Sequence, residues 1–147
     1  RNTIERLPSV RDIVPHSIGT TVLWDDDTEH NSIILERGSK LDTPVKKTYK
    51  TVEDGQTVVR IDINEGEGDE LEYVQSIGGF DLTLPEPRPA GSPIDVEITL
   101  DKSGVIRVIA IDLKSGQEKT ITIDYSSNMK PEQVVEKTKW LRDQPVS

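Results

Sequence analysis

Residues 94–112 read IDVEITLDKSGVIRVIAID, and this stretch decides the fold. Its first half alternates between aliphatic and polar side chains, which is the pattern of a strand buried on one face. The aliphatic face holds Ile94, Val96, Ile98 and Leu100. Lys102-Ser103-Gly104 follows as a hairpin-type turn, in which glycine supplies the positive φ, and a second aliphatic run begins at Val105. The stretch therefore predicts a β-hairpin that packs one face on a core.

The same signals recur on both sides of this hairpin. Glu53-Asp54-Gly55 and Lys114-Ser115-Gly116 are further turns of the same type. Eight strands are predicted, at residues 17–24, 30–36, 45–52, 56–63, 71–84, 94–100, 105–112 and 118–125. Short strands with such turns indicate a sandwich or a barrel, and we predict an all-β, two-sheet antiparallel sandwich. Four prolines within residues 85–93 forbid a central strand there and predict a longer crossing loop.

Three lysines mark one of these strands as an edge. Lys46, Lys47 and Lys50 fall in the strand predicted at residues 45–52, where alternation separates Lys47 from the other two. Such charges commonly protect the unpaired edge of a sheet, so we predict an edge strand here and not a binding patch.

The two ends of the chain depart from the strand pattern. Residues 1–15 are polar, hold Pro8 and Pro15, and are predicted to be a linker. After Tyr125 the period becomes helical, with Pro131 at the first helical position, and one short C-terminal helix is predicted. Because the chain begins without an initiator methionine, we expect it to be part of a longer protein.

Composition and charge limit the classes of function that the chain can have. The 147 residues fit one domain, and a hydrophobic share of 33% suits a sandwich, in which only alternate side chains point inward. The net charge of −9 repels phosphate backbones, so we expect no nucleic-acid partner. The absence of cysteine excludes disulfides and a thiol nucleophile, and it suits a cytoplasmic protein. No apolar run approaches the ~20 residues that span a bilayer, so we expect no membrane partner.

The sequence carries little catalytic chemistry. It has no GxxxxGK[ST] phosphate-binding motif, and a hydrolytic triad would need His16 or His30 beside a nucleophile and a carboxylate. Asp25-Asp26-Asp27 suggests either a cation site or a solvated loop. We favour the loop, because three consecutive carboxylates cannot all face one ion. We therefore predict no enzyme activity, no catalytic residue and no metal site.

Several stretches together resemble the substrate-binding domain of the DnaK-type (heat-shock seventy) chaperone family. They are residues 12–19 (DIVPHSIG), 51–56 (TVEDGQ), 61–66 (IDINEG), 77–80 (IGGF), 96–100 (VEITL), 104–108 (GVIRV) and 115–123 (SGQEKTITI). No one of these motifs is decisive, but their order and spacing are specific and agree with the strand count. The resemblance covers roughly residues 12–143.

The resemblance implies a domain organisation and a function. Residues 1–15 would be the remnant of an interdomain linker, residues 16–125 a peptide-binding sandwich, and residues 126–147 the start of a truncated helical lid. The domain would hold extended apolar peptides of unfolded clients, as chaperones of the stress response do. ATP would bind only in a missing ATPase domain, so no cofactor is expected in this chain. J-domain co-chaperones would act on the full-length protein.

The resemblance also assigns a peptide site by position. Leu23 and Val52 would form an arch over the peptide. One apolar side chain of the peptide would enter a pocket lined by Thr20, Tyr49, Val59, Ile61 and Val96. Gln56 and the backbone near Val22 would bond the peptide main chain. Arg88 lies near, but not on, the position of the family's lid-latching arginine.

Two other interpretations stay open at this point. A non-chaperone β-sandwich module would bind a folded partner through a flat face, and short apolar peptides only weakly. A carboxylate-based hydrolase would show two facing carboxylates in a deep polar cleft, although no pair among the 27 acidic residues is singled out by the sequence.

Overall fold

The computed structural model of the protein describes residues 12–129. In that range the chain forms eight β-strands and two short 3-10 turns. The strands are β1 (Ile18–Leu23), β2 (Glu29–Leu35), β3 (Val45–Lys50), β4 (Gln56–Glu65), β5 (Gln75–Arg88), β6 (Pro93–Leu100), β7 (Val105–Asp112) and β8 (Glu118–Asp124). The 3-10 turns are Leu71–Tyr73 and Ser126–Met129. Each predicted strand has its counterpart in this set.

The strands pair into two four-stranded antiparallel sheets, ordered β2-β1-β4-β5 and β3-β6-β7-β8. The chain passes from one sheet to the other between β2 and β3, between β3 and β4, and between β5 and β6. The two sheets enclose a single apolar cluster between them. The prediction of an all-β, two-sheet sandwich is confirmed.

Alternate residues of each strand fill the space between the sheets. On β6 the predicted aliphatic face is buried throughout, from Ile94 at 2% exposed to Leu100 at 1%. Phe80 and Leu82 of β5 and Ile63 of β4 are buried on the other sheet. Burying one such side chain fully is worth about 1.5–3 kcal/mol, so this interlayer core is the main source of stability.

Two of the predicted turns contain a glycine in the left-handed region, but of these two only the turn at residues 102–104 closes a hairpin. Residues 53–55 connect β3 to β4 in the other sheet, so the hairpin prediction is wrong there. Gly55 and Gly104 have φ angles of 82° and 89°, in the left-handed region. At Gly104 a Cβ would also lie 2.6 Å from the Cα of Ser126, so a larger residue does not fit there.

The prolines that follow the middle of β5 lie in the strand. β5 continues through Pro85 and Pro87 to Arg88, so the predicted crossing loop is wrong over these residues. β5 is an edge strand, and its pairing with β4 jumps from Thr83 to Arg88 across a bulge. Proline has no N–H, and neither an edge nor a bulge requires one. The predicted beginning of this strand is also wrong, because residues 71–73 form a 3-10 turn.

The three lysines of β3 behave as predicted for an edge strand. β3 is the outer strand of its sheet and pairs only with β6. Lys46 and Lys50 are exposed on the outer face. Lys47 has the opposite orientation and donates from Nζ to the carbonyl oxygen of Ile33 at 2.5 Å. The group therefore protects an edge and does not form a basic patch.

The first described residues pack against the sandwich. Ile13 forms an isolated antiparallel bridge with Lys40. Val14 donates its N–H to the carbonyl oxygen of Ser39 at 2.8 Å and is fully buried. This part of the predicted linker is thus in contact with the connection between β2 and β3.

Other elements predicted at the termini lie outside the described residues. They are residues 1–11 of the linker and the C-terminal helix that begins near Pro131, so the domain limits stay predictions. Within residues 12–129, no helix has the length and apolar character needed to cross a membrane.

A buried ion pair joins the two sheets. Nη2 of Arg88, at the end of β5, lies 2.5 Å from Oδ2 of Asp112, at the end of β7, and both side chains are 1% exposed. Nη1 of Arg88 donates to the carbonyl oxygen of Glu86, and the hydroxyl of Ser115 donates to Asp112. Burial by itself raises the pKa of Asp112, but the bonds from Ser115 and Arg88 hold that pKa below its ordinary value. The pair is therefore ionised at neutral pH, and the Arg88 side chain does not project from the sandwich.

Candidate functional site

The β2-β1-β4-β5 sheet splits at one end, between its two central strands. β1 pairs with β4 at residues 18–20 alone, and the last pair joins Thr20 to Ile63. Beyond it, β1 stays paired with β2 as far as Leu23, and β4 stays paired with β5 from Val58 onward. The two strands therefore face each other across the split without ladder bonds between them. Backbone edges of this kind accept a third, extended strand.

Two loops flank the split, residues 24–28 between β1 and β2 and residues 51–55 between β3 and β4. Because β1 and β4 run antiparallel, the end of β1 lies toward the start of β4, and both loops reach the same end of the sandwich. Their apolar side chains face solvent, with Leu23 42%, Trp24 45% and Val52 52% exposed. Large apolar side chains gathered at one end favour a binding surface. The arch predicted from Leu23 and Val52 has one residue on each side of the split, and the arch itself stays a prediction.

The predicted pocket residues lie on the inner side of the two sheets. Thr20 and Ile61 are buried in the split sheet, and Val59 is half-buried beside them. Tyr49 is half-buried on the facing sheet, where its hydroxyl lies 2.8 Å from that of Ser32. Burial raises the pKa of Tyr49, and the bond with Ser32 only partly offsets that effect. Tyr49 therefore contributes an uncharged ring, and its hydroxyl is already bonded to Ser32.

The register of the β3–β6 ladder shows which β6 residue lies beside Tyr49 of the predicted pocket. Val96 is buried but lies opposite Lys47 in the β3–β6 ladder. Ile94 lies directly opposite Tyr49 and is equally buried. Sequence alternation puts Val96 and Ile94 on one face, but only the register shows which of them adjoins Tyr49. We therefore add Ile94 to the candidate pocket.

Gln56 holds its own loop together. Its Oε1 accepts the N–H of Val52 at 2.9 Å and the N–H of Glu53 at 3.2 Å. Its Nε2 donates to the carbonyl oxygen of Val58 at 2.9 Å. A side-chain amide carries two N–H donors, so one remains for a peptide. Gln56 therefore shapes the loop that carries Val52, whatever it also offers to a peptide.

The β3–β4 loop is also tied to the segment before β6. Oδ1 of Asp54 accepts the N–H of Ala90 at 2.8 Å. The hydroxyl of Thr51 donates to the carbonyl oxygen of Pro89 at 2.8 Å and accepts the N–H of Ser92 at 2.9 Å. These bonds fix one side of the split in place.

The β1–β2 loop contains an arrangement that resembles part of a hydrolytic triad. The hydroxyl of Thr28 lies 2.6 Å from Nε2 of His30 and 2.5 Å from Oδ1 of Asp26. The bond from Thr28 lowers the pKa of Asp26, so this carboxylate is ionised and can only accept. Thr28 therefore donates to Asp26 and accepts from an N–H at Nε2 of His30. That tautomer cannot take a proton from Thr28, so the group is not a nucleophile with its general base.

One of the three acidic residues of this loop is bonded within the loop, and the other two face solvent. Asp26 also accepts the backbone N–H of Thr28 at 3.1 Å, and Asp25 and Asp27 face solvent. In residues 12–129, no group of three or more histidines and carboxylates is placed to hold a metal ion. The interpretation as a solvated loop fits this geometry.

One comparison with known protein families bears on this site. The family model described as "Hsp70 protein" matches residues 6–143. The matched range contains both sheets, both flanking loops and every residue of the candidate site.

Proposed function

Because this chain belongs to the Hsp70 family, we propose that it is the substrate-binding domain of a DnaK-type chaperone and holds extended apolar segments of unfolded proteins. Nucleotide regulation and J-domain co-chaperones would then act through other domains of a longer, cytoplasmic protein. The domain itself would catalyse no reaction.

The split between β1 and β4 is the observation that carries this proposal. An extended peptide placed between these strands meets main-chain donors and acceptors on both sides. Main-chain bonding does not depend on sequence, which suits a protein that must bind many unfolded chains. The alternative, a sandwich module that binds a folded partner through a flat face, would not require two unpaired strand edges.

The inner walls supply the selectivity for apolar side chains. Val59 is half-buried and offers aliphatic surface, and Ile61, Ile94 and Thr20 are buried around it. Full burial of a client leucine against such walls is worth about 1.5–3 kcal/mol. An acidic side chain in the same place would lose its hydration without gaining a partner.

A matched pair of peptides tests the proposal. The parent peptide is extended, has a central leucine and carries a fluorescent label, and the control has the same side chains with its central amides N-methylated. We expect the parent to bind and the control to bind about tenfold more weakly or worse, since main-chain hydrogen bonds are lost. Fluorescence anisotropy titration gives both affinities. Equal binding of the two peptides, or tight binding of a folded protein with no binding of either peptide, would contradict the proposal.

Gln56 provides a prediction about the loop that carries Val52. Gln56→Ala removes the acceptor for two loop N–H groups, and we expect peptide release to become about tenfold faster. Gln56→Glu keeps acceptor oxygens at the same place, but it loses the donor to Val58 and adds a negative charge. If bracing by the acceptor oxygen is the main role, Gln56→Glu should release peptide within about threefold of the parent rate. Stopped-flow release of a labelled peptide separates the two variants, and equal losses in both would assign the role to the Nε2 donor of Gln56 and not to its acceptor oxygen.

A further inference from the structure

The exposed indole of the β1–β2 loop, Trp24, is stacked on the imidazole ring of His30. The Trp24 indole stacks on the His30 ring with centroids 3.3 Å apart and planes 14° from parallel. Trp24 directly follows Leu23, so an indole held in place constrains the backbone next to Leu23 at the edge of the split. His30 is 9% exposed and stands opposite Val22 in the β1–β2 ladder.

The two ring nitrogens of His30 have different surroundings. Nε2 donates to Thr28, whose own proton goes to Asp26. Nδ1 is therefore the nitrogen without a proton in the neutral ring. It is buried, has no hydrogen-bond partner within the described chain, and lies 3.8 Å from Oε2 of Glu70. In the neutral state a buried lone pair thus faces a carboxylate.

We propose that His30 is a positioning residue for the client site: with a proton on Nδ1 it ties the β1–β2 loop to Glu70 and holds Leu23 and Trp24 over the split. The inference rests on the proposed peptide-binding function. Glu70 belongs to the connection between β4 and β5, so the tie joins β2, on which Trp24 of the loop is stacked, to a segment far away in sequence. That connection already lies along β2, where the carbonyl oxygen of Asp69 accepts the N–H of Asn31 at 2.9 Å.

The described charges near His30 are all carboxylates. Glu70 faces Nδ1 from the β4–β5 connection, and Asp26 acts on Nε2 through Thr28. The loop itself adds two exposed carboxylates, Asp25 and Asp27. Directly opposite on β1, Val22 contributes no charge. A cationic ring stacked on the indole of Trp24 gains a further attraction.

The sign of the expected pH effect follows from these contacts. Protonation replaces a repulsion between a lone pair and a carboxylate by an N–H donor facing that carboxylate. The loop is therefore held more firmly when the ring is protonated, and lower pH favours that state. A firmer loop over the split slows client release, and most affinity differences lie in the off-rate.

The test measures client release as a function of pH with a peptide that has no histidine and a blocked N-terminus. For the parent we expect release about fivefold slower at about pH 5.5 than at about pH 8. His30→Gln should release at one rate across this range. His16→Gln is the matched control, because His16 is the other of the two histidines and lies at the surface near Glu67. Its profile should match that of the parent.

A second variant keeps the test decisive if His30→Gln does not fold. Glu70 is half-exposed, and Glu70→Ala removes the carboxylate that faces Nδ1 without offering that nitrogen an amide donor. Glu70→Ala should keep the parent rate at about pH 8 and lose most of the slowing at lower pH. A full pH effect in Glu70→Ala, or one that follows His16 and not His30, overturns the proposal.

A readout without client separates this inference from the proposed function. The chain has two tryptophans, and Trp140→Phe leaves Trp24 as the only one. A protonated imidazole stacked on an indole quenches the fluorescence of that indole. Trp24 emission should therefore decrease as the pH is lowered, and His30→Gln should abolish the change. If emission titrates but no peptide binds, the tie exists and the chaperone proposal fails. If peptide binds and neither emission nor release depends on His30, the positioning role is refuted.

Discussion

Arg88→Met is expected to lower the free energy of unfolding by about 3–5 kcal/mol, the largest stability effect we anticipate for a single substitution in this chain. The reason is the carboxylate that remains. Asp112 is 1% exposed and loses its ionic partner, so a buried charge is left uncompensated. Met fills much of the volume of the Arg side chain, so the loss reports on charge and not on a cavity. Urea unfolding followed by circular dichroism measures it.

Two variants control this prediction. Arg60→Met removes an exposed arginine that pairs with Asp62 and Asp81, and should cost below about 1 kcal/mol. Arg88→Met combined with Asp112→Asn leaves no unpaired charge and should recover part of the loss. A cost below about 1 kcal/mol for Arg88→Met alone would show that the pair contributes little.

The same pair has a defined pH dependence. The folded state holds the pKa of Asp112 below its ordinary value of 3.8. The carboxylate thus adds stability that is fully present well above pH 3.8 and is lost as the pH falls toward the lower, folded-state pKa. Arg88→Met should weaken this acid dependence, because Asp112 keeps only its bonds from Ser115 and the backbone.

Val59→Phe is expected to weaken binding of an apolar peptide about tenfold or more. Val59 is half-buried on the inner side of β4, opposite Leu82 and next to the split. If Val59 lines the proposed pocket, a phenyl ring at this position would occupy the room that a client leucine needs. Peptide titration by anisotropy measures the loss.

Overpacking can also lower stability, by about 1–3 kcal/mol, so a thermal melt of Val59→Phe accompanies the titration. Ile109→Phe is the matched control, because Ile109 is also half-buried but faces outward on β7 in the other sheet. It should leave peptide affinity unchanged. A folded Val59→Phe that binds as the parent does would remove Val59 from the pocket, and unchanged binding in Leu23→Ala as well would refute the channel.

Much of the candidate site follows from residue pattern and family resemblance together. Alternation in β4 predicted that Val59 and Ile61 share the inner face, and turn chemistry predicted the loop that ends at Gly55. The resemblance then selected these residues from many equivalent core positions. It could not separate Val96 from Ile94, because both have the same alternation and only the β3–β6 register places one beside Tyr49.

The prolines of β5 show where local rules mislead. Pro85 and Pro87 correctly excluded a central strand, but they also suggested a loop. Whether a proline can stay in a strand depends on whether its missing N–H would have had a partner. That is decided by the strand's place at the sheet edge and by the bulge opposite β4.

The sequence by itself determined the fold class, the number of strands and the inward-facing side chains, because period-two alternation and turn residues act over a few neighbours. Tertiary structure alone decided the split between β1 and β4, the ion pair of Arg88 with Asp112, and the approach of Glu70 to His30. Each of these joins residues that are distant along the chain. Their meeting depends on strand order and register, which result from packing the whole core and not from any local pattern.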